Sequence, residues 1–389
     1  MPVTASSYGT LSISDLKRAN NTSIIDFGVQ RVFQPIRDLL VAYNKNLAEQ
    51  LSIFVEKTTQ RTVGTGGAAS MKAVYTDEYG VSDVQKIAGP SVMGFPLRKH
   101  EVALQWTESW FKNHTPEELA VQAEGAAQAD MQNLQTALRK AIFTPVNTNF
   151  TDVLRDRMTI PVKAFANGDG YPIPPSPNGF VFNPVTHTHY MGTTGGTAGS
   201  AIQAADIDAL LFNVLEHVNG GQILLYVPQD VEATMSQLQA AGTLPKYAKI
   251  VYNRQISPIT VLHTDGFLQE AMPFNRITGT YGDAQVIVKP WLPAGCLLAF
   301  MSGPNTMKPI AMRVPASLDT AGRFIDQYGG TDGEFIMSHQ WQDHPFSGQI
   351  WQREFGFGPM NRVAGAVMSI GSTSYTMPAI QTGATAYTV

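Results

Sequence analysis

One helix constrains this chain more than any other segment. From Thr115 to Phe143 the apolar residues Leu119, Ala123, Ala127, Met131, Leu134, Leu138 and Ile142 recur at intervals of three or four, the mark of one helical face. Thr115 supplies a capping hydroxyl, Pro116 fits the first helical position, and Glu118 can return a bond to the cap. Arg139 and Lys140 suit the negative end of the dipole, and Pro145 forbids much continuation. At the usual rise per residue such a helix is roughly 40 Å long, a rod rather than an ordinary globular helix. Its stripe is alanine in the first half and larger in the second, so the first half can approach a neighbouring layer closely. Gly125 costs about 1 kcal/mol relative to alanine, tolerable in a helix held by packing.

What surrounds the rod is extended. Residues 1–34 are rich in Ser, Thr and Asn without a sustained period and predict an extended arm. Pro35 is then expected to open a helix, with Ile36, Leu39, Leu40, Tyr43, Leu47, Leu51 and Phe54 on one face. Between Lys57 and Trp106 the period changes to two: Met71, Ala73 and Tyr75 share one face, and Val102, Leu104 and Trp106 another. Gly80, Gly89, Pro90, Gly94 and Pro96 lie between, which predicts a long two-stranded excursion with an irregular tip. An isolated hairpin is marginal in water, so this one must rest on something else, such as another copy of the chain.

Beyond the rod, residues 144–200 are rich in Pro, Gly, Asn and Thr, with a short strand expected at Phe180–Phe182. Ala205–Val218 predicts an amphipathic helix ended by Gly220 and Gly221, Gln222–Val227 a buried strand, and Asp230–Leu238 a second helix. Further strands are expected at Ile259–His263 and Gln285–Val288, giving a compact α/β layer.

Charged residues make up 15% of the 389 residues against 43% hydrophobic, a sparsely charged surface that suits extensive coverage by partners. A net charge of -4 argues against a sequence-reading nucleic-acid protein. Cys296 is the only cysteine, which excludes an intrachain disulfide and a thiolate metal cluster and fits a reducing compartment. The first fifteen residues lack the pattern of a signal peptide, and no stretch approaches the roughly 18–20 apolar residues of a membrane span.

Motifs that carry chemistry are missing. There is no Walker phosphate loop, no His-Glu-x-x-His and no Gly-x-Ser-x-Gly elbow, and Gly195, Gly196 and Gly199 lack the strand and spacing of a dinucleotide fingerprint. His187 and His189, two apart on a candidate strand, could share a metal, with His339, Asp343 and His344 as further ligands or an acid–base pair. Ordinary surface or interface histidines are the favoured reading, so no catalytic, cofactor-binding or metal residue is assigned and no cofactor is expected.

Arm, long hairpin, rod and α/β layer, in that order, resemble the major capsid proteins of tailed phages, the Hong Kong ninety-seven type or Johnson fold. Three segments carry the resemblance: Ala205–Met235 with its Gly-Gly and Ile223-Leu224-Leu225-Tyr226-Val227-Pro228; Val286–Pro290 followed by Pro293-Ala294-Gly295 and Leu297–Phe300; and Arg353-Glu354-Phe355-Gly356-Phe357-Gly358 with Arg362 and Ala364–Met368. The resemblance implies an α+β fold: N-terminal arm and helix over 1–56, extended loop over 57–106, and a peripheral domain over 107–200 with its spine helix at 115–143. An axial domain over 201–315, peripheral return strands over 316–360, and an axial return over 361–389 complete it. It further implies a non-enzymatic, structural major capsid protein. Hexamers and pentamers would form an icosahedral head enclosing double-stranded DNA without sequence specificity, in a virion assembled in the host cytoplasm. An encapsulin-type compartment shell shares the fold and stays open as an alternative, as does an α/β metal-dependent enzyme. A portal and a decoration protein are the partners such a head would use. Because the arm starts almost at Met1, with no long charged helical segment before it, a separate scaffolding protein, or none, is expected. Some relatives cross-link a loop lysine to an asparagine with a glutamate assisting. Lys72, Lys86, Lys99 and Glu354 are the corresponding candidates here, but no asparagine lies between Thr306 and Met360, so noncovalent shells are expected.

Overall fold

The computed structural model of the chain describes residues 11–65, 78, 91–193, 202–217, 220–250, 277–303, 307–315 and 333–380. Two short helices, α1 (Ile13–Arg18) and α2 (Ile24–Phe27), lead into α3 (Val29–Leu51). The strand β1 (Val55–Thr58) is followed by the pair β2 (Thr62–Thr65) and β3 (Ser91–Gly94), then by β4 (Arg98–Thr107). A short helix α4 (Glu108–Asn113) turns the chain into the rod, α5 (Pro116–Phe143). The reciprocal bonds expected at its start are present: Thr115 Oγ accepts from Glu118 N, and the Glu118 carboxylate accepts from Thr115 N at 3.0 Å.

Next come the hairpin β5 (Thr148–Thr151) and β6 (Thr159–Val162), the strand β7 (Tyr190–Gly192), and α6 (Ala204–Leu215). The run β8 (Gln222–Val227), α7 (Gln229–Ala240) and β9 (Tyr247–Lys249) follows, then β10 (Ile277–Tyr281), β11 (Ala284–Val288) and β12 (Cys296–Ser302). The chain ends its regular structure with β13 (Ile310–Arg313), β14 (Ile336–Asp343), β15 (Phe346–Pro359) and β16 (Gly365–Ser369).

These strands build two main sheets. One has seven strands in the order β7-β16-β12-β8-β11-β10-β9, mixed in direction. Its central strands are apolar without interruption because both faces are covered. Ile223, Leu225 and Val227 pack with α6 and α7 through Ile207, Leu210, Val214, Val231 and Met235. The alternate residues Leu224 and Tyr226, with Leu298, Phe300 and Val367, pack on the opposite side against Leu51, Phe54, Leu134, Leu138 and Ile142. The other sheet has five strands: β1-β13-β15-β14, with β4 also paired to β15 over ten residues from Phe346↔Thr107 to Phe355↔Arg98. The first half of α5 covers this sheet through Leu119, Ala120, Ala123 and Ala126, together with Trp106, Met337 and Trp351. The rod thus serves both layers, its alanine half on one and its larger half on the other.

Four expectations change. Residues 13–27 are not extended: Ser12 caps α1, Ser23 caps α2, and Leu16 and Ile24 are fully buried beside α5. Pro35 does not open α3 but sits inside it; the cost of an interior proline, about 3 kcal/mol, is offset by burial of Val32, Phe33, Ile36 and Leu40. The apolar stripe of α5 is displaced in its middle, with Ala126 and Asp130 buried and Ala127 and Met131 at the margin, because Asp130 has charged company inside. Phe180–Phe182 forms no strand; its backbone belongs to a turn in which Ser176 N donates to Phe180 O. The strand expected at Ile259–His263 and the face of Met71, Ala73 and Tyr75 lie outside the described residues.

Candidate functional site

A chain of this shape offers elements that project from it, apolar surface left over, and any gathering of reactive groups. The projecting element is the stem β2–β3, paired in antiparallel register from Thr62↔Gly94 to Thr65↔Ser91. Its base is fixed by charge. Arg313, fully buried, donates to the Phe95 carbonyl at 2.9 Å and to Asp152 at 2.8 Å, and Arg61 of the stem reaches both Asp152 at 3.3 Å and Asp156. The Arg61 guanidinium holds the Asp156 carboxyl well below the usual carboxylate range. Gly94 packs so closely on β6 that a Cβ there would lie 2.9 Å from both Ile160 Cβ and the Pro161 carbonyl oxygen. The base of the stem is thereby fastened to the body, with Met93 buried and Val92 beside it 41% exposed.

Leftover apolar surface lies on the helices and on the 178–185 loop. Val41 on α3 and Val121 on α5 are 69% and 55% exposed, and Phe180, Val181, Val185 and Phe212 are all exposed above 60%. The two best-formed hollows among the described residues measure about 20 and 10 Å³, room for a water molecule.

A buried polar network joins the rod to the five-stranded sheet. Asp130 of α5 forms an ion pair with Arg353 of β15 at 3.0 Å and accepts from the Tyr43 hydroxyl at 2.8 Å. Asn44 accepts from Arg353 and from Phe335 N, both at 2.9 Å, and donates to the Phe335 carbonyl. Burial pushes the Asp130 carboxyl up, and Arg353 works against that.

The histidines sort differently from the sequence expectation. His339 stacks on Trp341 in β14 and His344 is 84% exposed beside Glu108 at 3.6 Å, so neither joins His187 and His189. His187 and His189 precede β7 in irregular backbone, and the residues that meet them are Glu216 and His217, just past the end of α6. His187 Nε2 lies 3.0 Å from His189 Nε2 and 2.8 Å from His217 Nε2. The Glu216 Oε1 atom is 3.5 Å from His187 Nε2 and 3.6 Å from His217 Nε2. Among the described residues this is the one gathering of three or more potential metal-ligating side chains. Sequence reading reached two of its four members; the signal for the others was a Glu-His pair at the end of a helix, visible but not linked to position 187 by any spacing.

For the cross-linking candidates, Lys99 in β4 pairs with Glu101 at 2.6 Å and stands opposite Glu354 of β15 in the ladder, while Lys72 and Lys86 lie outside the described residues.

No family model matches the chain, and no curated protein matches it in sequence. Solved structures do match. A chain from Mycobacterium phage Patience superposes with a TM-score of 0.61 at 19% identity, over 98% of this chain and 97% of its own. The capsid of Myoviridae phage XM1 aligns at 0.42 and 12% identity, covering 82% of this chain and 90% of that one. The holo-SrpI encapsulin complex from Synechococcus elongatus PCC 7942 aligns at 0.41 and 9%, covering 85% and 89%. The element order and the full-length superposition give this chain the α+β fold of Hong Kong ninety-seven type, or Johnson, capsid proteins, with the long helix and two sheets in place.

Proposed function

We propose that this chain is the major capsid protein of a tailed-phage head, forming hexamers and pentamers of a closed icosahedral shell around double-stranded DNA. The observation that carries the reading is the end-to-end superposition on a phage chain, which leaves almost no residue of either unaccounted for. Three physical features support it. The stem projects from a charge-locked base and needs a neighbour to cover it. Exposed valines and phenylalanines on α3, α5, α6 and the 178–185 loop suit burial between copies. The sparse charge and the small hollows fit structural work rather than turnover.

In this reading the seven-stranded layer with α6 and α7 is the axial domain, and the five-stranded sheet with α5 is the peripheral domain. A heterologous contact repeated around five- and six-fold rings closes a shell when subunits bend between the two settings. DNA is held without base readout, a portal and a separate scaffolding protein serve assembly, and the shell stays in the aqueous phase. No helix among the described residues is long and apolar enough to cross a membrane.

Expression with its neighbouring genes, followed by electron microscopy and nuclease treatment of purified particles, tests this. Closed shells protecting double-stranded DNA, and a monomer band near the 42.3 kDa chain mass on denaturing electrophoresis, are expected. Protein that stays monomeric under all assembly conditions, or shells filled with cargo protein instead of DNA, would overturn it.

A further inference from the structure

We propose that His187, His189, His217 and Glu216 form a closed, four-ligand site for a divalent first-row transition ion, zinc being the one of choice in a cell. The site would tie the segment before β7 to the end of α6.

Four observations converge. The first is geometry. A tetrahedral zinc with nitrogen and oxygen ligands at about 2.0–2.1 Å has ligand–ligand edges of about 3.3–3.4 Å. The observed edges of 2.8, 3.0, 3.5 and 3.6 Å bracket that value. Those are four of the six edges, and all four ligand atoms lie within 4.8 Å of one another, so an ion at the centre needs the two short edges to open by about half an ångström and the widest to draw in.

The second is proton accounting. His189 Nδ1 lies 2.9 Å from the Gly365 carbonyl oxygen, which can only accept, so Nδ1 carries the proton and Nε2 presents a lone pair. His187 Nε2–H can then donate to His189, but that uses its single proton, and His217 Nε2 at 2.8 Å is left facing a group with nothing to offer. Neutral imidazoles do not satisfy this triad. A dication accepts all three lone pairs at once, and the Glu216 carboxylate offsets part of its charge.

Third, one ligand, His189, is held from behind as metal-binding histidines are, and the backbone around it is fixed. The His189 Nδ1–H bond to Gly365 fixes its tautomer, its backbone is tied by His189 N to Ala166 O at 2.7 Å and by Val367 N to its carbonyl at 2.8 Å, and Asn213 of α6 donates to Thr188 O at 3.2 Å. His187 is aimed by a turn in which its N–H donates to the Asn183 carbonyl at 3.0 Å. That loop is pinned by Gly168 at φ +73°, where a Cβ would come 2.7 Å from the Val185 carbonyl oxygen.

Fourth, the site is mostly covered, His187 and Glu216 keeping 15% and 17% of their side-chain surface. The side chains of His189 and His217 are completely buried, and Phe182 roofs the group with its ring 4.8 Å from His187 and 4.2 Å from His217. The nearest guanidinium to weigh against a cation, Arg362, is matched by Asp169 at 3.1 Å. With four protein ligands and a covered face, the ion is structural and keeps no open position for a substrate.

The test uses untagged full-length protein purified without chelators, as free subunits or as shells, so it does not depend on the assembly reading. Elemental mass spectrometry should find about one zinc per chain after saturation and desalting, and a strong chelator should lower the thermal midpoint by several degrees. Replacing the ion by cobalt(II) should give the intense visible absorption of a four-coordinate nitrogen–oxygen site, a readout that needs no variant. The His187→Asn/His217→Asn protein should lose the metal and the chelator response together. Metal well below stoichiometry after saturation with zinc, or equal retention by the double variant, would overturn the proposal, as would a six-coordinate cobalt spectrum.

Discussion

The two layers served by the rod are held together by different physics. In the seven-stranded layer the strands Ile223–Val227, Cys296–Met301 and Gly365–Met368 are buried on both faces and apolar almost throughout. In the five-stranded layer β15 alternates: Trp351, Arg353 and Phe355 are buried and Gln352 and Glu354 are half-exposed, and the deepest positions include Arg313 and Arg353. The first layer is a hydrophobic sandwich whose geometry is set by volume. The second is one-sided only over residues 349–355 of β15, β13 and the end of β15 being buried throughout, and its docking to α3, α5 and the stem includes directional charge pairs, Asp130–Arg353 and Asp152–Arg313. Buried ion pairs add little net stability over apolar packing but punish misplacement, since a lone buried charge is costly. A layer that carries a projecting stem and a rod gains orientation from this, and a layer that only needs bulk does not.

If the contrast is right, the largest effect comes from breaking a charge pair. Arg353→Met strands Asp130 and should destabilise the subunit by about 3–5 kcal/mol, whereas Arg353→Met combined with Asp130→Leu should recover most of the loss. Denaturant unfolding of free subunits measures both; a double variant as unstable as the single one would break the comparison.

Leu225→Ala probes the other layer, where the residue is fully buried between β8 and α6. A loss of about 2–5 kcal/mol is expected, with no second substitution of opposite charge able to repair it. A loss below 1 kcal/mol would mean that this layer is looser than its burial implies.

The smallest effect concerns the exception, Lys289 at the end of β11, which is 2% exposed with its ammonium 4.8 Å from the Tyr226 ring. Burial lowers its pKa to about 8, below the ordinary lysine value of 10.5. A group depressed in this way takes up more protons unfolded than folded between those two values, so it costs stability below pH 8 and ceases to do so by about 10.5. Lys289→Met should therefore be more stable than the native chain by about 1–3 kcal/mol at pH 7, with the gain shrinking as pH rises through that window. Paired unfolding curves at pH 7 and pH 10 give the sign.

The same contrast decides what could be read in advance. The rod with its Thr115–Glu118 cap, the alternation of Val102, Leu104 and Trp106, and the apolar runs of β8 and β12 follow from periodicity, and periodicity is set by burial against one or two layers. What escaped it was polar and long-range. Asp130 takes the buried place that the apolar spacing assigned to its neighbour Met131, and its partner is 223 positions away in sequence at Arg353. Pro35 marked the wrong helix start because packing of Val32 and Phe33 outweighed local backbone preference. Of the histidine group, two members were visible as a pair, and the other two reach it only because α6 ends beside the 180–190 loop.

Both sheets are closed by the last strands to be made. β15 is the hub of the five-stranded sheet, pairing with β4, β13 and β14, and β16 sits between β7 and β12 in the other. The separation between partners is large, from Thr107 to Phe346 in one ladder and from Tyr190 to Val367 in another. In kinetic terms this is a high-contact-order chain, whose loop-closure cost must be met before the long ladders form. A ribosome must release nearly all of it before either sheet can be completed. Chains cut short before residue 346 therefore lack the strand that joins β4, β13 and β14, and translation errors of that kind yield species unable to present a neighbour with a finished surface.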